Sequence, residues 1–209
     1  MTLTPNSLRA LTGIPDIEKI HRKKTALIMT GFQMEFFTGL LPVPDAYNLV
    51  ERAVKIMDWA DKNKIKTIHM PKTAKSPASP VYAPNSEGAS FHPELTPRQN
   101  HLMFPKYGTS IFAGTILHGN LQADGIDTLI LAGMTTPLSI MISAHDAWSL
   151  GYKCLVLADL TASRDLLSWD KTKVVSASKI QEACLAAIED RFAQVISFDS
   201  LTSLPVSTD

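Results

Sequence analysis

The sequence predicts an α/β fold with three layers, α/β/α, around a mostly parallel sheet of about six strands. Short apolar runs alternate with longer segments in which apolar residues recur at helical spacing. Gly and Pro mark most of the joins between these segments. The chain has 209 residues, 45% of them hydrophobic, which is enough for one well-buried core. Strands that alternate with helices pair in parallel and are covered on both faces, which gives a Rossmann-like, doubly wound sheet.

Six apolar runs are the predicted strands, in chain order 24–30, 65–70, 102–104, 127–133, 152–159 and 193–198. A helix is predicted from Pro44–Asp45 to Lys62 because of its apolar stripe, which comprises Leu49, Val50, Val54, Ile56, Met57 and Trp59. Three further helices are predicted. The first is at 113–123 and ends before Gly125, the second is at 140–151 and follows the fourth strand, and the third is at 173–192. Residues 161–171 show no period and are predicted to be irregular.

Two regions lie outside this alternation. Residues 1–23 are predicted to be an N-terminal extension with a short helix at 7–11, which Gly13 and Pro15 end. Residues 24–209 are predicted to form a single domain. Within it, residues 71–97 are rich in Pro, Ser and Ala, and a loop of this length in a compact domain is typically a functional segment such as a lid.

Composition excludes several classes of protein. Lys+Arg and Asp+Glu number 20 each, which argues against the positive surplus of a nucleic-acid binder. No apolar run is long enough to span a bilayer, and the N-terminus lacks the apolar core of a secretory signal. Cys154 and Cys184 are predicted to be reduced thiols that pack as small hydrophobes, which indicates a cytoplasmic protein. The six histidines lack ligand spacing, so neither a metal nor another cofactor is expected.

Three loops follow predicted strands and carry polar or conformationally special residues. They run from Gly31 to Glu35, from Lys106 to Thr115 and from Met134 to Ser139. In a doubly wound sheet the carboxyl ends of the strands form one crevice, so these loops are predicted to converge there. Ser139 stands at the start of a predicted helix, which is where such folds often place their chemistry.

The segments GFQMEFF, PKYGTSIFAGT and LILAGMTTPLSIMISAHDAWSLGYKCLVLADLTASRD, in this order, resemble the isochorismatase-like hydrolases, also called the cysteine hydrolase superfamily. The resemblance covers residues 24–201. It implies a catalytic Asp after the first strand, a Lys after the third and a Cys at the helix after the fourth, with backbone N–H groups there holding the oxyanion. Carried over by position, the Lys is Lys106, the Cys position holds Ser139 and the Asp position holds Gly31. A cis peptide at Met134–Thr135 is also implied.

Lys106 and Ser139 are therefore the candidate catalytic residues of a divergent small-molecule enzyme, and the resemblance implies a hydrolase. A serine needs a nearby base, and a buried lysine with a depressed pKa can serve. Glu35 is a second candidate base, whereas His145 is expected on another face of the helix. Alternatives are that the Ser139 hydroxyl only satisfies backbone donors and that Lys106 extends to solvent. The chain could also catalyse elimination, isomerisation or cyclisation, or bind a ligand or partner without catalysis.

The residues predicted to bind substrate are Gly31, Phe32, Phe37, Tyr107, Met134 and Thr135. Because few charged groups remain among them, the expected substrate is a small apolar or conjugated molecule. The family resemblance also implies a homodimer or a higher homo-oligomer. Trp148 and Trp169 are candidates for its interface.

Overall fold

The computed structural model, which describes residues 6–44 and 46–207, alternates strands and helices along most of its length. Its helices are α1 (Leu8–Leu11), α2 (Ala46–Lys62), α3 (Leu117–Ala123), α4 (Met141–Ser149), α5 (Ala177–Arg191) and α6 (Phe198–Ser203). Its strands are β1 (Ile20–His21), β2 (Thr25–Thr30), β3 (Lys66–Met70), β4 (Leu102–Met103), β5 (Thr128–Met134), β6 (Lys153–Ala162), β7 (Leu166–Leu167), β8 (Val174–Val175), β9 (Gln194–Ile196) and β10 (Val206–Ser207). Among the described residues, no helix has the length and hydropathy that a membrane span requires.

The central sheet has six parallel strands in the order β4-β3-β2-β5-β6-β9. The chain builds outward from β2 in one direction and then, from β5 onward, in the other, so β2 and β5 flank the point where the winding reverses. In open α/β sheets the crevice outside the strand ends at this point is where ligands bind. The predicted doubly wound sheet is confirmed. Its geometry indicates that a ligand site would be formed by the residues that follow β2 and β5.

Helices cover both faces of the sheet. One buried cluster lies between the sheet and helices α2 and α6, and it includes Leu49, Ile56 and Leu201. The other lies beneath α3, α4 and α5, and it includes Leu121, Ala147 and Ile188. All seven residues of β5 are buried, as the continuous apolar run of a strand covered on both sides requires. The three-layer prediction is therefore confirmed.

Several predicted boundaries were wrong for local reasons. The third helix begins at Leu117 rather than at residue 113, because Gly114 adopts a left-handed conformation with φ +71°. The fifth helix begins at Ala177, since Val174–Val175 form a strand that pairs antiparallel with Leu166–Leu167. This hairpin occupies much of the region predicted to be irregular. The helix predicted from Pro44–Asp45 is observed from Ala46, and Asp45 lies outside the described residues.

The N-terminal segment packs against the far end of the chain. The predicted short helix is present as α1, and Ser7 accepts a hydrogen bond from the Ala10 N–H as its N-cap. Arg9 is buried and pairs with Asp16 and with Glu189 of α5. The short strand β1 pairs with β10, a contact that the sequence did not suggest. The proposed division between residues 1–23 and 24–209 stays a prediction.

Candidate active site

Two glycines allow the ends of β2 and β5 to come close together. Gly31 has φ +73°, and a Cβ atom there would collide with the carbonyl oxygen of Met134. Gly133 has φ +135°, and a Cβ atom there would collide with the carbonyl oxygen of Thr30. Each glycine therefore faces the backbone of the last residue of the opposite strand. The Met134–Thr135 peptide bond next to this contact is cis, as the resemblance implied.

Lys106 and Ser139 meet at this end of the sheet. The Lys106 Nζ donates a hydrogen bond to Ser139 Oγ over 3.0 Å and another to the carbonyl oxygen of Thr109 over 2.6 Å. Lys106 is fully buried, with 0% of its surface exposed, and Ser139 is 9% exposed. The alternative in which Lys106 extends to solvent is therefore wrong. The structure brings the two predicted catalytic side chains into direct contact.

The environment of Lys106 favours its neutral form. Burial, and to a lesser degree the charge of Lys72, lowers the pKa of Lys106 from 10.5 to about 7. Within residues 6–44 and 46–207, no carboxylate forms an ion pair with Lys106. A substantial fraction of Lys106 is therefore uncharged near neutral pH and has a lone pair that can accept the Ser139 proton.

Ser139 lies in a wide helical turn, Thr136–Ile140, that leads from β5 into α4. The hydroxyl contacts Lys106, and α4 begins without a side-chain cap at Ile140. The interpretation of Ser139 as a hydroxyl that only satisfies backbone donors at the helix start is therefore not supported. The turn points this side chain toward the lysine instead.

Gln181 on α5 fixes the start of this turn, and no sequence pattern pointed to this residue. Its Oε1 accepts hydrogen bonds from Thr136 Oγ1 and Ser163 Oγ. Its Nε2 donates to the carbonyl oxygen and the hydroxyl of Thr161, at 3.1 and 2.9 Å. The amide thus uses both of its acceptor sites and both of its donors. A glutamine within a helix is usually solvent-exposed, so only the tertiary structure identifies this role.

Glu35, the second candidate base, has a structural role. Its carboxylate is buried and accepts from the backbone N–H groups of Leu40 and Tyr82, at 2.7 and 3.3 Å. Gly39 and Gly88 pack so closely around it that a side chain at either position would collide with Glu35. Glu35 therefore anchors the loop after β2 and the 71–97 segment. His145 is half exposed beside Asp146 and contacts the Phe192 ring, so it is not brought to Ser139.

The residues predicted to bind substrate differ in their burial and in their location. Met134 ends β5 and Thr135 precedes the turn that carries Ser139, and both are buried, as is Phe32 in the loop after β2. Gly31 contributes only backbone at the strand contact. Phe37 packs between the rings of Tyr47 and His92, beside α2. Tyr107 follows Lys106 directly, but its side chain is 54% exposed. Their part in substrate binding stays a prediction.

A chain of hydrogen bonds links β3 to α2. His69 Nε2 contacts His101 Nδ1 at 2.9 Å, and His101 Nε2 contacts Asp61 Oδ1 at 3.1 Å. Burial is the main reason that the pKa of His69 is lowered to about 3, so this histidine is neutral. Among the described residues, no group of three or more His, Cys, Asp or Glu side chains could hold a metal ion. The chain holds the strand, the 98–101 segment and α2 together.

Comparison with known proteins points to one family. The Isochorismatase domain matches residues 25–200, a region that includes Gly31, Lys106 and Ser139. An uncharacterized isochorismatase family protein of Bacillus subtilis (strain 168) is 26% identical over 172 residues, 82% of this chain and 94% of its own. Maleamate amidohydrolase of Pseudomonas putida KT2440 is 26% identical over 190 residues, 84% of each chain. The crystal structure of an isochorismatase from the same organism has a TM-score of 0.86 at 27% identity and covers 94% of this chain and 99% of its own.

Replacing Gly31 by Ala is expected to lower the free energy of unfolding by about 3 kcal/mol or more, because the methyl group meets a backbone carbonyl that cannot rotate away. Gly114→Ala is the matched control. Its φ of +71° is nearly the same, but no atom lies within 4 Å of the added Cβ. It should cost only about 1–2 kcal/mol, the price of the left-handed conformation alone. Urea unfolding measures both, and equal losses would contradict the proposed backbone contact.

Replacing Lys106 by Met is expected to stabilise the protein below neutral pH. There the buried amine must be charged in the folded state, and each unit by which its pKa falls below 10.5 costs about 1.4 kcal/mol. The penalty disappears as the pH rises from about 7 toward 10.5, because the unfolded chain then loses the same proton. The variant should gain about 2 kcal/mol or more at pH ~6 and far less at pH ~10.

Thermal melts across this pH range test the prediction. Lys62→Met is a suitable control, because Lys62 is exposed at the end of α2 and carries no burial penalty. If Lys106→Met does not raise the melting temperature, or raises it equally at every pH, then burial does not disfavour the charged form of Lys106.

Proposed function

The chain belongs to the isochorismatase family, and on that premise we propose that it is a small-molecule hydrolase whose nucleophile is Ser139 and whose base is Lys106. The observation that carries this proposal is the 3.0 Å contact between Lys106 Nζ and Ser139 Oγ in a buried site. It is supported by the lowered pKa of Lys106, since the base of a serine must be neutral at working pH. A relative of this chain is named as an amidohydrolase, which is consistent with attack on a carbonyl carbon.

The proposed reaction has two halves. Neutral Lys106 takes the proton from Ser139 Oγ as that oxygen attacks the carbonyl carbon of an ester or amide. The resulting ammonium returns the proton to the leaving oxygen or nitrogen, and an acyl-serine remains. Water then attacks the acyl carbon while Lys106 again accepts and returns a proton, which releases the acid and restores the serine. Thr109 accepts one Lys106 hydrogen throughout and so holds the amine in place.

This assignment differs from the Asp, Lys and Cys set that the family resemblance implies. Gly31 stands at the Asp position and has no side chain, and a Cβ atom there would collide with the backbone. Without a carboxylate, the lysine is no longer held in its charged form, and its pKa falls. We propose that this change turns Lys106 from a charge-stabilising group into the base itself.

The proposal predicts that Ser139→Ala and Lys106→Met each lower kcat/KM by about a thousandfold or more on 4-nitrophenyl esters. In the unaltered protein, kcat/KM should rise with pH and level off above an apparent pKa near 7, since only neutral Lys106 accepts the proton. Release of 4-nitrophenolate measures the rate, and intact-protein mass spectrometry should detect the acyl group on Ser139.

Ser149→Ala and Lys75→Met are matched controls, because both residues are exposed and neither takes part in the hydrogen bonds of Lys106 and Ser139. Unchanged turnover in Ser139→Ala would exclude covalent catalysis. Loss only in Lys106→Met would then favour elimination, isomerisation or cyclisation, in which the lysine and the shape of the pocket suffice. Ligand-dependent melting shifts without any product would instead indicate a binding protein.

We also propose that the chain forms a homodimer or a higher homo-oligomer. The tip of the β7–β8 hairpin exposes Trp169 to 95% and Leu167 to 63%, an apolar surface that a second copy would cover. Trp148 is less suitable, because the Arg191 guanidinium lies over its ring at 4.5 Å. Light scattering should give a multiple of the chain mass, and Trp169→Glu should reduce it. A monomeric mass for the unaltered chain would contradict the proposal.

A further inference from the structure

A second lysine stands beside Lys106 at the candidate site. Lys72 and Lys106 pair across a short parallel bridge that continues β3 and β4, and paired residues project their side chains from the same face. The Lys72 Nζ donates to the carbonyl oxygens of Tyr107 and Gly108, at 3.0 and 3.3 Å. The Lys106 Nζ donates to the carbonyl oxygen of the next residue, Thr109, at 2.6 Å. Two amines are thus bound to three successive carbonyls of one loop.

Neither lysine has a carboxylate partner in the part of the chain that the structure describes, where ion pairs involve other residues. Glu35, which reaches the nearby Tyr82 backbone, directs its oxygens to the N–H groups of Leu40 and Tyr82. Gly31, at the position where the family resemblance implies an Asp, supplies no charge. The two lysines therefore bind one loop, and neither is paired with a carboxylate of the described residues.

This arrangement costs free energy that a bound anion would recover. Burial lowers the pKa of Lys72 as well as that of Lys106, and the Lys72 charge further depresses the pKa of Lys106. A positive group that is removed from water without a counterion is unfavourable, and an anionic ligand of suitable geometry reverses that cost. The positive charge of these lysines, which no carboxylate among the described residues neutralises, therefore favours the binding of an anionic ligand.

Lys72 is the member of the pair that a ligand can reach. It is only half-buried, whereas Lys106 is fully buried. Two of its three hydrogens point to loop carbonyls, which leaves one for a ligand. Its Nζ also lies 6.0 Å from the centre of the Tyr82 ring, so the amine stands at an aromatic wall. An acceptor bound there would lie beside the lysine that contacts Ser139.

We propose that Lys72 binds a carboxylate of the substrate, so that the substrate is a small carboxylic acid that also carries the ester or amide bond attacked by Ser139. This inference rests on the proposed function and names the substrate class of the same site. It modifies the expectation of an apolar or conjugated substrate by adding one anionic end to it. The aromatic residues would contact the body of the molecule, and Lys72 would hold its charged end.

Binding of benzoate and of benzamide tests the charge requirement with probes of nearly the same shape. Isothermal titration calorimetry near neutral pH measures the affinities for both probes. Benzoate should bind about tenfold or more tighter than benzamide, a difference of about 1.4 kcal/mol or more. Lys72→Gln should bring the ratio close to one.

Two further variants separate charge from folding. Lys72→Arg keeps the positive charge and should keep the preference for benzoate. Lys75→Gln removes an exposed lysine three positions away and should leave both affinities unchanged. Melting temperatures of all variants report whether loss of the loop contacts disturbs the fold. Equal binding of the two probes by the unaltered protein, or a preference that survives in Lys72→Gln, would overturn the inference.

Failure of the carboxylate site can be told apart from failure of the proposed hydrolase, because the binding measurements require no turnover. Ser139→Ala should retain the benzoate preference although it cannot form an acyl-serine. If the ester assays fail while the preference depends on Lys72, the carboxylate site stands and the Ser139–Lys106 hydrolase does not. If hydrolysis is confirmed but benzoate and benzamide bind alike, the Ser139–Lys106 hydrolase stands and the carboxylate site does not.

Discussion

The close approach of two backbones at the carboxyl ends of β2 and β5 is the constraint on which the site depends. Gly31 and Gly133 face the carbonyl groups of Met134 and Thr30, so neither position can carry a side chain without displacing the opposite strand. The contact lies where the winding of the sheet reverses, which is the place where this class of fold opens a crevice. It fixes the start of the turn that presents Ser139. The packing of the two strand ends thus accounts for the absence of a side chain at Gly31.

That absence determines the electrostatics of the site. A buried lysine is normally compensated by a carboxylate, whereas Lys106 is compensated only by a carbonyl and a hydroxyl. Its charged form is therefore destabilised, which leaves part of the amine neutral near pH 7 and able to accept a proton. The same effect lowers the stability of the folded state where the amine is charged. Proteins commonly accept such a loss of stability where an unfavourable environment is needed for reactivity. The same imbalance extends to Lys72, which shares the loop with Lys106.

The segment between β3 and β4 is held by polar residues rather than by regular structure. The Gln33 amide exchanges two hydrogen bonds with the backbone of Lys72 and donates a third to Ala89. Glu35 binds the backbone of Tyr82 in the same segment. The loop that follows β2 therefore fixes the backbone of Lys72 and Tyr82. The segment that was expected to be a lid is anchored to this loop in the structure.

The sequence by itself determined the doubly wound sheet and the order of its main elements, because periodicity is a local signal. The contact between Lys106 and Ser139 was expected from the convergence of the strand-end loops together with the family resemblance. It misplaced the starts of α3 and α5, where a left-handed Gly114 and a small hairpin override helical patterns. Only the tertiary structure decided the contacts of Gln181, Glu35 and Lys72. These contacts join residues that are far apart in the chain, and they depend on the burial of polar groups, neither of which has a periodic signature in the sequence.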